Sequence, residues 1–593
     1  MQKSFRNWKK NLFTLLLTLP LVSVATFSNA TTQTTQATQQ TVAAALRYDN
    51  SKDIFHPVYG TQGIVATEQH LASQVGLQIL KEGGNAIDAA VAVGFALAVV
   101  LPNAGNIGGG GFMMLHDAKS GEDFAIDFRE MAPLKAHKDM YLDEKGNVID
   151  GKSLFTHFAV GVPGTVAGME YALKKWGTMP LEKVIAPAIK LADEGFIISD
   201  TLGKTLTVEK DNLAKWKSTK AIFFKGEQPL ASGDRLIQKD LAHSLQLIAQ
   251  QGSQAFYQGE IAEKIVKEME KHGGLITLED MKGYHAIERK PISGDYRGYK
   301  IVTMPPPSSG GAHLIQILNI LEHYPLAQYG ANSAEAITKY AEAMKLAYAD
   351  RSEYLGDPDF VKIPLNGLIS KKYADELVKK IPSDQIVPSK EIKPGKPQPY
   401  ESDQTTHYSI MDKAGNAVAV TYTLNLNFGS GIVAEGTGIL LNNEMDDFSS
   451  KPGVPNAFGL IGGEANAIAA KKRPLSSMTP TLVMKDNKPF LVTGSPGGAR
   501  IITTVLQSIV NTIDYKMNVA EAISVPRIHH QWLPDELRIE EGISHDTIHL
   551  LQKEGYKVVT KASMGRVQIV QSTEDGFFGA SDPRNPDGAT FAY

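Results

Sequence analysis

Apolar positions spaced for one face of a helix, as in Ser73–Leu80 and Ala334–Tyr354, alternate along the chain with short β-rich runs such as Phe124–Phe128 and Lys300–Met304. Helical and strand periods in turn predict a mixed α/β architecture. The unbroken apolar run Ala89–Leu101 is shorter than the roughly 20 residues that span a bilayer and has the length of a buried core helix. No internal repeat is visible.

The pattern breaks at two places. At the N-terminus, Lys3, Arg6, Lys9 and Lys10 precede the mostly apolar stretch Leu12–Phe27, and Ser28-Asn29-Ala30 puts small residues where a signal peptidase cuts. This predicts an export signal over residues 1–30 and a polar leader over 31–47, with no membrane attachment once the signal is removed. Pro20 interrupts a stretch barely long enough to span, which argues against an anchor. The second break is Lys390–Gln404, where Pro394, Gly395, Pro397 and Pro399 read as an exposed, extended linker. Beyond it, Thr405–Met411 and Ala417–Leu424 flank Asp412–Asn416, the pattern of a hairpin with a short Gly-containing loop. If Asp412 and Asn416 close a three-residue loop, Thr405 falls opposite Thr423.

Composition narrows the classes. With 593 residues, 42% of them hydrophobic, the chain can bury a large core, so disordered and fibrous classes are excluded. The 60 basic and 64 acidic side chains nearly balance, at a formal charge of -4, and form no long basic run, so nucleic acid is not an expected partner. There is no cysteine. Disulfides, thiolate metal sites and cysteine nucleophiles are therefore excluded.

A threonine directly after an exposed linker is where cleavage would free an α-amine beside a hydroxyl on the same residue. Such an amine, with a pKa of about 7.7–8.0, can act as the base for its own side chain. Downstream, Leu491–Arg500 contains Gly494, Gly497 and Gly498 and joins a strand pattern to the helical pattern Ile501–Val510. Backbone N–H groups at such a helix start can hold an oxyanion.

The run Thr405-Thr406-His407-Tyr408-Ser409-Ile410, then Gly415-Asn416, Val418, Thr421, Thr423, Leu424, Asn425 and Phe428-Gly429, resembles the signature of the γ-glutamyltransferase family. The resemblance extends from about residue 48 to Tyr593. It implies the N-terminal-nucleophile fold, an αββα sandwich of two stacked antiparallel sheets between helical layers. It also implies self-cleavage before Thr405 into a large subunit, 48–404, and a small subunit, 405–593, which remain together as a heterodimer around one core.

By the same resemblance Thr405 is the nucleophile, Thr423 the hydroxyl that hydrogen-bonds it, and Gly497 and Gly498 the oxyanion hole. A γ-glutamyl group is distinguished by its α-carboxylate and α-ammonium, which need opposite charges at two points. Arg129 in Asp127–Pro133, with the hydroxyls of Ser476 and Ser477, matches the carboxylate grip. Glu444 and Asp447 in Asn442–Phe448, with the amide of Asn425, match the ammonium grip. The position of Glu444 varies between Glu and Gln among relatives. Pro452–Gly463 matches a lid loop that some family members carry, with Phe458 where bacterial relatives often have Tyr.

Other motifs are set aside. Gly146–Ser153 fits G-x-x-x-x-G-K-S but follows polar Asp143-Glu144-Lys145 and leads into the strand-like run Leu154–Phe158, the wrong context for a phosphate loop. Gly105–Gly111 lacks dinucleotide spacing and reads as a tightly packed turn after a core helix. No H-E-x-x-H or G-x-S-x-G occurs, and adjacent His529 and His530 would face opposite sides of a strand. The expected activity is γ-glutamyl transfer from glutathione and related compounds to water or to amino-acid acceptors, in a periplasmic or secreted enzyme without metal or other cofactor. The rivals are a β-lactam side-chain acylase, cephalosporin or glutaryl, and an exported binding protein.

Overall fold

In the computed structural model the described residues are 48, 51–382, 385–393, 405–451, 454 and 462–593. The export signal, the polar leader, residues 394–404 of the linker and most of the lid-loop segment, with Phe458, lie outside them.

Two seven-stranded sheets, antiparallel throughout, form the centre. The first runs in the order Val58–Gly60, Phe577–Ser581, Gln568–Ser572, Lys488–Gly494, Thr481–Lys485, Tyr299–Thr303, Ile292–Tyr296. The second runs Ala589–Ala592, Gly63–Thr67, Thr406–Asp412, Ala417–Thr423, Gly110–Asp117, Glu122–Phe128, Ile287–Arg289. Both sheets combine strands from either side of position 404.

Strand periodicity assigns the faces. Val65, Met113, Leu115, Ile126, Tyr408, Ile410, Val418 and Val420 point out of the second sheet into a core shared with helices His70–Lys81, Ala86–Val100 and Thr165–Trp176. Their neighbours Ile64, Ala66, Phe112, Met114 and Ala419 point the other way. They share a second core with Val483, Val492 and Ile569 of the first sheet and with helices Gly310–Leu321, Ala334–Tyr354 and Ile501–Ile513. Helix, sheet, sheet and helix are thus stacked as the αββα sandwich requires, and Tyr48–Tyr593 packs as one unit.

The run Ala89–Leu101 lies within the helix Ala86–Val100, every residue of which is buried. No helix among the described residues is long and apolar enough to cross a membrane. The glycine run packs as a turn, and a Cβ on Gly109 would fall 2.0 Å from the Thr423 carbonyl oxygen. One expectation fails. Leu154–Phe158 is not a strand but a turn entering the 3-10 helix His157–Ala159. Its backbone is taken by side chains rather than by a neighbouring strand: Thr156 caps the 3-10 turn, and Asn443 Nδ2 donates to the Leu154 carbonyl at 3.0 Å.

Candidate active site

The hairpin forms in the expected register. Met411 pairs with Ala417 and Thr406 with Tyr422, and the Asp412 N–H donates to the Asn416 carbonyl at 3.1 Å across the loop. Thr405, just before the first strand residue, therefore lies opposite Thr423, and their hydroxyl oxygens are 3.4 Å apart. The Asn425 N–H donates to Thr423 Oγ1 at 2.9 Å, and Asn106 Nδ2 donates to the Thr423 carbonyl at 2.8 Å. Both contacts fix the partner hydroxyl from behind.

The odd-numbered side chains from Thr405 to Ser409, with Thr421 and Thr423 opposite, form a buried polar stripe facing the first sheet. His407 Nδ1 is 2.8 Å from Thr421 Oγ1, and Nε2 is 3.0 Å from Ser409 Oγ, which donates to the Gln568 carbonyl. Burial pushes the His407 imidazole down to about 3, so it is neutral, one ring nitrogen donating and the other accepting. At the strand start, Arg566 pairs with Glu68 at 2.7 Å and donates to the Thr405 carbonyl at 3.5 Å, while Glu68 accepts from the His407 N–H.

Thr405 is 4% exposed and lies in a small cleft together with Thr423, Asn425, Arg129, Glu444, Asp447, Ser476, Ser477 and Gly498. Nine of the ten residues singled out from the sequence thus line one cavity. Gly497 does not line it and sits one residue behind, at φ +135°, in a backbone region that L side chains rarely adopt. Gly498 opens a 3-10 turn that runs directly into the helix Ile501–Ile513, so this helix start faces the cleft beside Thr405.

The charged wall is assembled from distant segments. Arg129 follows the strand Glu122–Phe128, and its guanidinium pairs with both Glu444 and Asp447, which the 3-10 turn Glu444–Asp447 presents together. Its Nε also donates to the Pro474 carbonyl at 3.3 Å. Burial opposes the charge on Arg129, and the carboxylates of Glu444, Asp447 and Glu130 more than offset it, so its pKa lies above the ordinary guanidinium value. The same burial raises Asp447, raises Glu444 well above the carboxylate range, and pushes Glu130 up to about 7. Arg129 therefore pairs with Glu444 and Asp447 themselves, whereas the sequence reading assigned them to opposite ends of a ligand.

One charged contributor was not visible in the sequence. Arg351, near the end of helix Ala334–Tyr354, lines the cleft, donating to Ser309 Oγ at 2.8 Å and Ser477 Oγ at 3.1 Å. Burial lowers it to about 10, which leaves it a cation at neutral pH. A basic residue in a last helical turn is the ordinary complement to the helix dipole, so its position carried no signal. Asn425 sits at φ +79°, its Nδ2 held by the Asn443 carbonyl and its buried Oδ1 without a partner among the described residues.

The family model described as Gamma-glutamyltranspeptidase matches residues 72–592. The chain is 60% identical to the glutathione hydrolase proenzyme of Escherichia coli (strain K12) over 553 residues, covering 93% of this chain and 95% of the relative. Among solved structures it resembles the cephalosporin acylase from Bacillus halodurans, with a TM-score of 0.82 and 29% identity, covering 92% of this chain and 99% of that one. It also resembles Helicobacter pylori gamma-glutamyltranspeptidase, with a TM-score of 0.54 and 53% identity, covering 56% of this chain and 95% of that one.

Proposed function

The chain belongs to the γ-glutamyltranspeptidase family, a family of enzymes that transfer and hydrolyse γ-glutamyl groups, and on that premise we propose how its own residues divide the work. Cleavage of the Gln404–Thr405 bond frees the α-amine of Thr405. That amine takes the Thr405 hydroxyl proton as Oγ1 attacks the γ-carbonyl of glutathione or another γ-glutamyl compound. The N–H groups of Gly497 and Gly498 hold the resulting oxyanion. Collapse of the tetrahedral species expels the leaving amine, which takes the proton, and leaves a γ-glutamyl ester on Thr405. Water or an amino-acid amine then attacks the ester and returns the enzyme.

Recognition follows from the ion-pair array. The substrate α-carboxylate joins the cationic side, Arg129 with Ser476 and with Ser477 held by Arg351. Its α-ammonium joins Glu444, Asp447 and the free Oδ1 of Asn425. A zwitterion adds no net charge to this buried array and gives each charge a partner, which limits the desolvation cost. The single observation that carries the reading is that Thr405 Oγ1, 3.4 Å from the Thr423 hydroxyl, shares one small cleft with paired Arg129, Glu444 and Asp447.

The two subunits, 48–404 and 405–593, remain together because each sheet is built from strands of both. Export by the signal over residues 1–30 places the mature enzyme in the periplasm or outside the cell. The likeness to a cephalosporin acylase leaves one competing substrate class, acyl groups without the α-ammonium. Turnover of γ-glutamyl-p-nitroanilide against glutaryl-p-nitroanilide separates the two. Loss of the ammonium contacts, at about 1.5–3 kcal/mol for a charged hydrogen bond, predicts a preference of at least ~10-fold in kcat/KM for the γ-glutamyl compound. Preference for the glutaryl compound overturns the assignment.

A further inference from the structure

His157, Glu268 and His272 meet away from the catalytic cleft. Glu268 and His272 are separated by one turn of the helix Glu260–His272, so both stand on the same face, and His157 reaches them from the 3-10 turn His157–Ala159. Glu268 Oε1 lies 3.1 Å from His157 Nε2 and 3.3 Å from His272 Nε2, and one donor atom from each residue falls within 4.8 Å of the other two. The imidazoles stack at 4.5 Å, and the Trp216 ring stands edge-on to both. His157 and Glu268 are buried, whereas the His272 side chain is 34% exposed and leaves a route to solvent.

We propose that these three residues bind a divalent transition-metal ion, with Zn²⁺ as the type. Two imidazole nitrogens and one carboxylate oxygen form a borderline-soft, three-ligand set with room for water at a fourth position. Around a tetrahedral zinc with bonds of about 2.0–2.1 Å, donor atoms lie roughly 3.3 Å apart, which the two glutamate–histidine separations already match. The move required is a rotation of the half-exposed His272. Mg²⁺ and Ca²⁺, which need six or more oxygens, do not suit this set. The three form no recognisable sequence motif, because His157 lies more than a hundred residues before Glu268 and His272.

The ion acts on structure rather than on bonds. The segments on either side of His157 hold the substrate-binding turn: Ser153 Oγ donates to Asp446 at 2.7 Å, Asn443 Nδ2 to the Leu154 carbonyl at 3.0 Å, and the Gly161 N–H to Asn442 Oδ1 at 2.9 Å. An ion tying His157 to the Glu260–His272 helix therefore stiffens the wall that presents Glu444 and Asp447.

The test uses the full exported enzyme, purified without a histidine tag and stripped with a chelator. It is titrated with Zn²⁺ by calorimetry and with Co²⁺ by visible absorption, alongside the His272→Ala variant. The expected result is one Zn²⁺ per enzyme, Co²⁺ bands of a four- or five-coordinate site, and a Zn²⁺-dependent rise in Tm. In His272→Ala, Zn²⁺ affinity falls at least ~10-fold and the Tm rise is lost. No stoichiometric Zn²⁺ in the parent enzyme would mean that the carboxylate merely bridges two imidazoles, and the proposal fails. Equal binding by His272→Ala places the ion elsewhere and overturns it as well.

Discussion

The two walls of the cleft are made in opposite ways. The hydroxyl wall, with Thr405 and Thr423, comes from one hairpin whose register is fixed by a five-residue turn closed between Asp412 and Asn416. The charged wall, with Arg129, Arg351, Glu444, Asp447, Ser476 and Ser477, gathers residues from four separated segments, and its charges hold one another. The two hydroxyls are thus placed locally, by strand pairing. Substrate recognition is long-range, charged and dependent on every member remaining in place. Damage to the first wall should fall on the chemical step, and damage to the second on binding and on the fold together.

The largest separable effect is expected at the charged wall. Arg129→Gln leaves Glu444 and Asp447 buried without their principal counter-ion, a loss of about 3–5 kcal/mol for a broken buried pair. Denaturant unfolding should show that loss, and KM for γ-glutamyl-p-nitroanilide should rise far more than kcat falls. An unchanged unfolding midpoint with unchanged KM would mean that the pairing does not matter.

Thr423→Val tests the other wall. It keeps the strand shape and removes the hydroxyl 3.4 Å from Thr405 Oγ1, which also served as acceptor for the Asn425 N–H. Loss of one such bond is worth about 1–3 kcal/mol, so kcat should fall roughly 10- to 100-fold with little change in KM. A rise in KM at constant kcat would erase the distinction between the walls.

The smallest effect is one of pH on the polar stripe beneath the nucleophile. His407 is held at about 3 by burial, below its value of about 6.5 in the unfolded chain. The stability this depressed pKa confers is complete above pH 6.5 and is lost as pH falls toward 3. Between pH 7.5 and 5.5 His407 alone should cost the fold about 1.4 kcal/mol. His407→Gln should flatten that slope in chemical denaturation, and an equal slope in parent and variant would show that His407 does not titrate on unfolding.

The same contrast explains what could be read from the sequence. A hairpin is specified by neighbours in the chain, so turn residues and alternation placed Thr405 opposite Thr423 without any structure. The helix Ala334–Tyr354 likewise appears at its expected bounds. The charged wall lacks such a local rule. Its residues could be named by resemblance, but the direct pairing of Arg129 with Glu444 and Asp447 arises only when the 3-10 turn is brought across from another segment. Arg351, a cation in a last helical turn, carries no signal of its own in the sequence, and Leu154–Phe158 reads as a strand because β-propensity says nothing about the side chains that occupy its backbone.

The central claim is that Thr405 becomes a free N-terminus and then the nucleophile. Intact mass and N-terminal sequencing of the purified enzyme, beside its Thr405→Ala variant, test it most directly. The account predicts two chains from the parent, the smaller beginning at Thr405 and ending at Tyr593, and a single uncut, inactive chain from the variant. A parent chain that remains joined across 404/405, or a variant that still yields both chains, would contradict it.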